Sequence, residues 1–347
     1  MMEYEYEQNV VFHNECLVAD TAGVNLPLKG AGKIVTQIFS MYPDDCDRAD
    51  AESLAQELTE FIRNLLSQSE ISGDSDDWHN IAVDIARKDY YELSCDLLEE
   101  GLRRFPGNAD LLGDYLQYGT SCGRIEQCKQ YYKQLSKLPK VKYTWRSFHF
   151  SMSWLTYLWE SSESQKEMDK LYEQMKALVA SYREYFPHKE DSYVCAADMY
   201  ALVKQRGMVQ EVLLDAVNQK FPSPKCALRL ADIYFEQGDY EDSLKMVQKS
   251  LQDANRVQKS VNEEYLYYLS GLARISIRNN SEAQTEEGNV EKIYMDFEDC
   301  LRLGTSTSRD FRGRIRDKVA VLKRQTGAEI PADCRKLYEL LDGADLL

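Results

Sequence analysis

Positions of matching size recur every 34 residues along this chain. Trp78 and Leu112 stand 34 apart, as do Ser94 and Cys128, and Tyr193 and Ala227 repeat the interval. Each opens or anchors a similar run. The first runs read Trp78-x2-Ile81-Ala82-x2-Ile85, Leu112-x2-Tyr115-Leu116-x2-Gly119, Tyr193-x2-Ala196-Ala197-x2-Tyr200 and Ala227-x2-Leu230-Ala231-x2-Tyr234. The following runs read Ser94-x3-Leu98-x2-Gly101-Leu102, Cys128-x3-Tyr132-x2-Leu135 and Ser243-x3-Val247-x2-Ser250-Leu251. Apolar residues at i, i+3, i+4 and i+7 place one apolar stripe along a helix. Each unit therefore reads as two antiparallel helices, with Gly238-Asp239 turning one into the next and Pro106 closing a unit. Small residues (Ala82, Ser94, Gly101, Ala231, Ser243, Ser250) belong where helix axes cross closely. Trp78, Leu98, Tyr234 and Val247 fill the space between. One such pair cannot bury its own apolar face, so neighbouring pairs must stack.

The pattern resembles the tetratricopeptide repeat (TPR), whose 34 residues run Trp-x2-Leu-Gly-x2-Tyr, Ala-x3-Phe, then Pro. The unit at 224–255 matches best. The resemblance implies an all-α, right-handed α-solenoid of about six TPR-like helical hairpins across 75–303, with caps at both ends. Residues 141–188 fit more loosely, with a break at Ser161-Ser162-Glu163-Ser164, and the pair at 262–303 carries an extra polar segment, Asn279–Gly288.

The flanks differ in kind. Residues 1–77 hold 16 acidic and 4 basic residues, net −12 of the chain's −16. Within them, residues 4–20 are apolar but broken by Asn and Glu, and 21–32, with Gly23, Pro27, Gly30 and Gly32, reads as a loop. Residues 51–66 form an amphipathic helix with Leu54, Leu58, Phe61, Ile62 and Leu65 on one face and Asp50 as cap. This divides the chain into an acidic amino-terminal extension (1–74), the array (75–303) and carboxy-terminal capping helices with a basic stretch (304–347). Two roles stay open for the extension: a cover on the first hairpin, or a tail lying in the array's own groove until a partner displaces it. Arg309–Arg324 carries seven basic and two acidic residues, net +5, with Phe311, Ile315, Val319 and Leu322 along one face. It reads as a last helix covering the final hairpin, or as a docking surface for an acidic partner.

Catalytic and cofactor patterns are missing from the sequence. Lys29-Gly30-Ala31-Gly32-Lys33-Ile34 lacks both the leading Gly and the Ser or Thr of a phosphate-binding loop. The histidines His13, His79, His149 and His188 are scattered, no Cys-x2-Cys occurs, and His13-x2-Cys16 supplies only two ligands. Cys122 and Cys128 read as packing thiols. Adjacent carboxylates such as Asp44-Asp45 diverge and suit solvation better than acid–base work. The expectation is a protein that is not an enzyme and takes no cofactor or metal. Strong net acidity argues against direct binding of nucleic acid or anionic membrane. Nine cysteines without an export signal read as reduced, cytoplasmic thiols.

In TPR arrays the first helices line the concave face, and the resemblance implies that a partner segment binds there. Counting from the Trp position, the groove-facing side chains are His79, Val83 and Arg87 in one unit. A second presents Gly113, Gln117 and Thr120, and a later one Leu228, Arg229, Asp232 and Phe235. Members that grip a chaperone's terminal carboxylate carry a Lys and an Asn four apart here. This chain has His79/Val83, Gly113/Gln117 and Leu228/Asp232 instead, so that grip is absent. A protein-interaction scaffold holding a longer partner protein or peptide segment is the expected function. The alternative is a peptide-sensing regulator of the bacterial TPR type that modulates an effector. The acidic and basic ends also predict weak head-to-tail self-association.

Overall fold

A computed structural model describes residues 10–13, 16–19, 28–41, 48–67, 73–258, 261–280, 285–304 and 306–342. Tyr4, Tyr6, Gly23, Pro27 and Asp44-Asp45 lie outside them. The chain divides into two compact units, residues 1–186 and 187–347.

The first unit opens with strands β1 (Val10–His13) and β2 (Cys16–Ala19), an antiparallel pair with Val10 opposite Ala19 and His13 opposite Cys16. Two helices follow, α1 (Leu28–Met41) and α2 (Arg48–Ser67). Three helical hairpins complete the unit: α3 (Ser75–Ala86) with α4 (Tyr91–Arg104), α5 (Ala109–Ser121) with α6 (Ile125–Ser136), and α7 (Trp145–Glu160) with α8 (Gln165–Tyr185). The second unit holds three more, α9 (Glu190–Leu202) with α10 (Arg206–Asn218), α11 (Pro224–Gln237) with α12 (Tyr240–Val257), and α13 (Glu263–Asn280) with α14 (Val290–Arg302). It closes with α15 (Ser306–Thr326) and α16 (Arg335–Asp342). Six hairpins thus occupy the expected span, and the fold is a TPR-like helical solenoid.

Local signals place the boundaries. Asp74 begins α3 with a capping box: its carboxylate accepts from the Asp76 and Asp77 amides at 3.0 Å, and its own amide donates to Asp77 at 3.1 Å. Thr144 caps α7 with a second capping box, and the Asn108 side chain caps α5 by accepting from the Asp110 and Leu111 amides. Gly238, at φ +85, makes the left-handed turn from α11 to α12, where a side chain would be strained.

Packing follows the small–large rhythm. Trp78 is fully buried, and a Cβ at Gly101 would lie 3.2 Å from it, tighter than ordinary contact, so glycine suits the close approach of α4 to α3. In the third hairpin Phe148 stacks on Tyr182 at 5.1 Å and 6°. In the second unit Phe311, Ile315, Val319 and Leu322 of α15 join Ile293, Phe297 and Leu337 in one buried cluster. Phe311 lies flat on Tyr268 at 4.1 Å. The basic helix is therefore an amphipathic cover for the last hairpin, with Arg314, Lys318, Lys323 and Arg324 exposed.

Three sequence readings need correction. Residues 28–32 are helical, not loop, and Gly30 is buried within α1. Burial against α3, with Gly32 beside Ile81, outweighs the modest helix cost of glycine. Val10–His13 and Cys16–Ala19 form the strand pair, where no element was expected. Finally, α2 begins at Arg48, so Asp50 lies inside the helix and is not its cap.

Candidate functional site

The 34-residue period stacks equivalent positions of successive first helices, and polar side chains join them as rungs. In the first unit the rung spans α3, α5 and α7. His79 Nδ1 lies 2.5 Å from Asp114 Oδ2, and Arg146 Nη1 meets His79 Nε2. A guanidinium only donates, so Nε2 accepts and the ring proton sits on Nδ1, donated to Asp114. Asp114 is almost fully buried, and that burial raises its carboxyl above the usual range against the lowering effect of His79. Its second oxygen, Oδ1, is buried without a hydrogen-bond partner. Beside it, Thr144 donates to Asp110.

The second unit repeats the device with other chemistry. Lys225 reaches from α11 to Asp191 of α9 at 3.0 Å, 34 residues away. Arg229 pairs with Asp198, and the Tyr265 hydroxyl donates to Asp232 at 2.5 Å across 33 residues. The Cys226 amide donates to Glu190 at 2.9 Å. Burial raises the carboxyls of Glu190 and Asp232. Lys225 is half exposed, and such pairs contribute roughly 0.2–1 kcal/mol each. Their main consequence is orientation: the polar ends on this face are held at fixed places.

The residues singled out from the sequence take different positions. His79 is buried within its rung. Val83, Gln117 and Thr120 are half-buried, and the Thr120 hydroxyl is used by the Leu116 carbonyl at 2.6 Å. Arg87 is exposed and pairs with Asp84 at 3.1 Å. Arg229 and Asp232 are half-buried rung members. Phe235 packs edge-on against Tyr240 at 5.4 Å and leans on the cluster around Ala231 and Val247. Sequence reading missed the opposite ends of the rungs: Asp114, Arg146, Asp198, Lys225 and Tyr265. Their signal was present as complementary groups about one period apart, or about two for Arg146 and His79.

Among the described residues no three His, Cys, Asp or Glu side chains come together to hold a metal ion. No helix among them is long and apolar enough to cross a membrane.

No protein-family model matches the chain, and no curated protein matches it in sequence. Solved structures match in fold. The human IFIT1 dimer with m7Gppp-AAAA is 11% identical over 84% of this chain and 63% of that one, with a TM-score of 0.54. A TPR protein of Thermus thermophilus, TTC0263, is 16% identical over 58% of this chain and 98% of its own, at 0.44. One from Parabacteroides merdae is 12% identical over 83% and 98%, at 0.45. This chain thus spans less than two thirds of IFIT1, and at such identities the likeness concerns the fold alone.

Proposed function

We propose that this chain is a non-catalytic interaction scaffold that holds a segment of a partner protein along a face formed, within a unit, by the first helices of its hairpins. The observation that carries the reading is the set of inter-hairpin rungs. They fix charged and hydroxyl groups of α9, α11 and α13 at one-period intervals, and those of α3, α5 and α7 likewise. Half-buried Val83, Gln117, Arg229, Asp232 and Phe235 and exposed Arg87 alternate polar and apolar contacts along these faces. Prepositioned groups of mixed character suit several-point capture of a chain, because little side-chain freedom is lost on binding.

The test is capture of a partner from native extract, reduction of that partner to its minimal segment, and titration against wild type, Arg87→Glu and Gln117→Arg. Arg87 is exposed and Gln117 half-buried, and neither is a member of a rung. Loss of affinity by about tenfold, or 1.4 kcal/mol, in either variant supports the reading. Unchanged affinity in both overturns it. So does preferential binding of an RNA oligonucleotide at physiological salt, the kind of ligand with which IFIT1 was solved.

A further inference from the structure

We infer that Cys95 and Cys122 form a reversible disulfide site that locks the first hairpin to the second. Cys95 lies on α4 and is fully buried, whereas Cys122 ends α5 and is half-buried, within reach of solvent. Their sulfurs are 3.8 Å apart although the residues are separated by 27 positions. A disulfide needs about 2.05 Å, so closure requires less than 2 Å of approach. The turn that follows can supply it: Gly123 stands at φ +80 with open space around it.

An ionic strap crosses the same seam. Arg124, two residues after Cys122, reaches back over α4 to Asp96 at 2.6 Å and Glu99 at 3.1 Å. The strap holds the turn of the second hairpin against α4, which keeps the two sulfurs together. A third thiol, Cys128, is buried against the Tyr115 carbonyl, and burial raises it to about 11. It is the competing partner for Cys122.

Accessibility divides the roles. Hydrogen peroxide reaches Cys122, whose thiolate sulfur attacks one peroxide oxygen. The O–O bond breaks, Cys122 becomes a sulfenic acid, and hydroxide leaves to be protonated to water. Burial and the neighbouring Cys122 sulfur push the Cys95 thiol upward, so Cys95 resolves the intermediate and does not initiate it. Its sulfur attacks the Cys122 sulfur, the S–O bond breaks, and the departing hydroxide takes the Cys95 proton as a second water. Overall, two thiols and one peroxide yield one disulfide and two waters, and a dithiol reductant reverses the result. The bond clamps α4 to the α5–α6 turn and so fixes the spacing of α3 and α5, the helices that share the His79–Asp114 contact. The proposal stands independently of what the array binds.

The experiment treats the full-length protein with equimolar to tenfold peroxide, followed by non-reducing peptide mapping and a count of free thiols. The expected result is a Cys95–Cys122 linked peptide, loss of two of the nine thiols, and a melting midpoint raised by about 5 °C that dithiothreitol reverses. Cys122→Ser is expected to abolish the bridge. Cys95→Ala is expected to leave Cys122 as a sulfenic acid that a dione reagent traps, with helicity by circular dichroism confirming that the variant folds. Failure of wild type to lose thiols while the urea-unfolded chain does so overturns the proposal, as does a dominant Cys122–Cys128 bridge.

Discussion

The Ser243 hydroxyl donates to the Ala231 carbonyl at 2.9 Å, both residues being fully buried and twelve positions apart. Ser94 does the same to Ala82 at 2.7 Å, and the Cys128 thiol approaches the Leu116 carbonyl at 4.0 Å across the same interval. At this crossing only a small side chain fits between two helices. A hydroxyl is tolerated there because the facing helix offers the spare lone pair of a carbonyl already bonded along its own axis.

Substitutions at Ser243 are therefore expected to separate size from polarity. Ser243→Ala removes one buried hydrogen bond and costs about 1 kcal/mol. Ser243→Leu forces the helices apart and costs about 2 kcal/mol or more. Urea denaturation of the two variants checks the order, and equal costs contradict it.

Two glycines respond oppositely to an added methyl group. A Cβ at Gly271 would lie 2.5 Å from the Phe297 ring, which is itself fully buried, so Gly271→Ala is expected to destabilise by roughly 1–3 kcal/mol. Gly313 lies within α15 with nothing in reach of a Cβ, so Gly313→Ala is expected to stabilise by roughly 0.5–1 kcal/mol. Thermal melts of both variants beside wild type read the two signs.

Asp114 makes stability depend on pH in a direction set by its burial. Its folded carboxyl holds a proton to higher pH than the unfolded one, whose value is near 3.9. Between the two values the folded chain binds more protons, so this group's contribution falls as pH rises through the folded value. Asp114→Asn lacks that dependence while its amide oxygen still accepts from His79. The variant is expected to gain stability relative to wild type as pH is raised from about 4 to 7. Parallel denaturation curves across that range refute the assignment.

The charge division between the ends predicts salt-sensitive association between molecules. Residues 1–77 are net −12 and 309–324 net +5, and Arg314, Lys318, Lys323 and Arg324 are exposed. Heterologous head-to-tail contacts of this kind give rings or open chains. Light scattering is expected to show a mass rising at about 20 mM salt and returning to monomer near about 0.5 M, as the screening length shrinks. A monomeric mass at low salt removes the prediction.

The sequence by itself determined the repeat. Helix breakers such as Gly238, caps such as Asp74 and small residues such as Ser94 and Ser243 act within one hairpin or between neighbours one period apart. Their spacing therefore implied six stacked hairpins, and the apolar face at Phe311, Ile315, Val319 and Leu322 implied the covering helix. Tertiary structure decided what propensity misjudges and what only lateral docking brings together. Gly30 and Gly32 read as loop residues, yet burial of α1 on α3 keeps them helical. His79, Arg229 and Asp232 were legible as residues of the first helices, but not as rung members. Whether such a side chain faces a partner molecule or Asp114, Asp198 or Tyr265 depends on how far one hairpin rotates against the next. The same holds for Cys95 and Cys122: the sequence places each at its own helix, and only the packing of α4 against the following turn sets their sulfurs 3.8 Å apart.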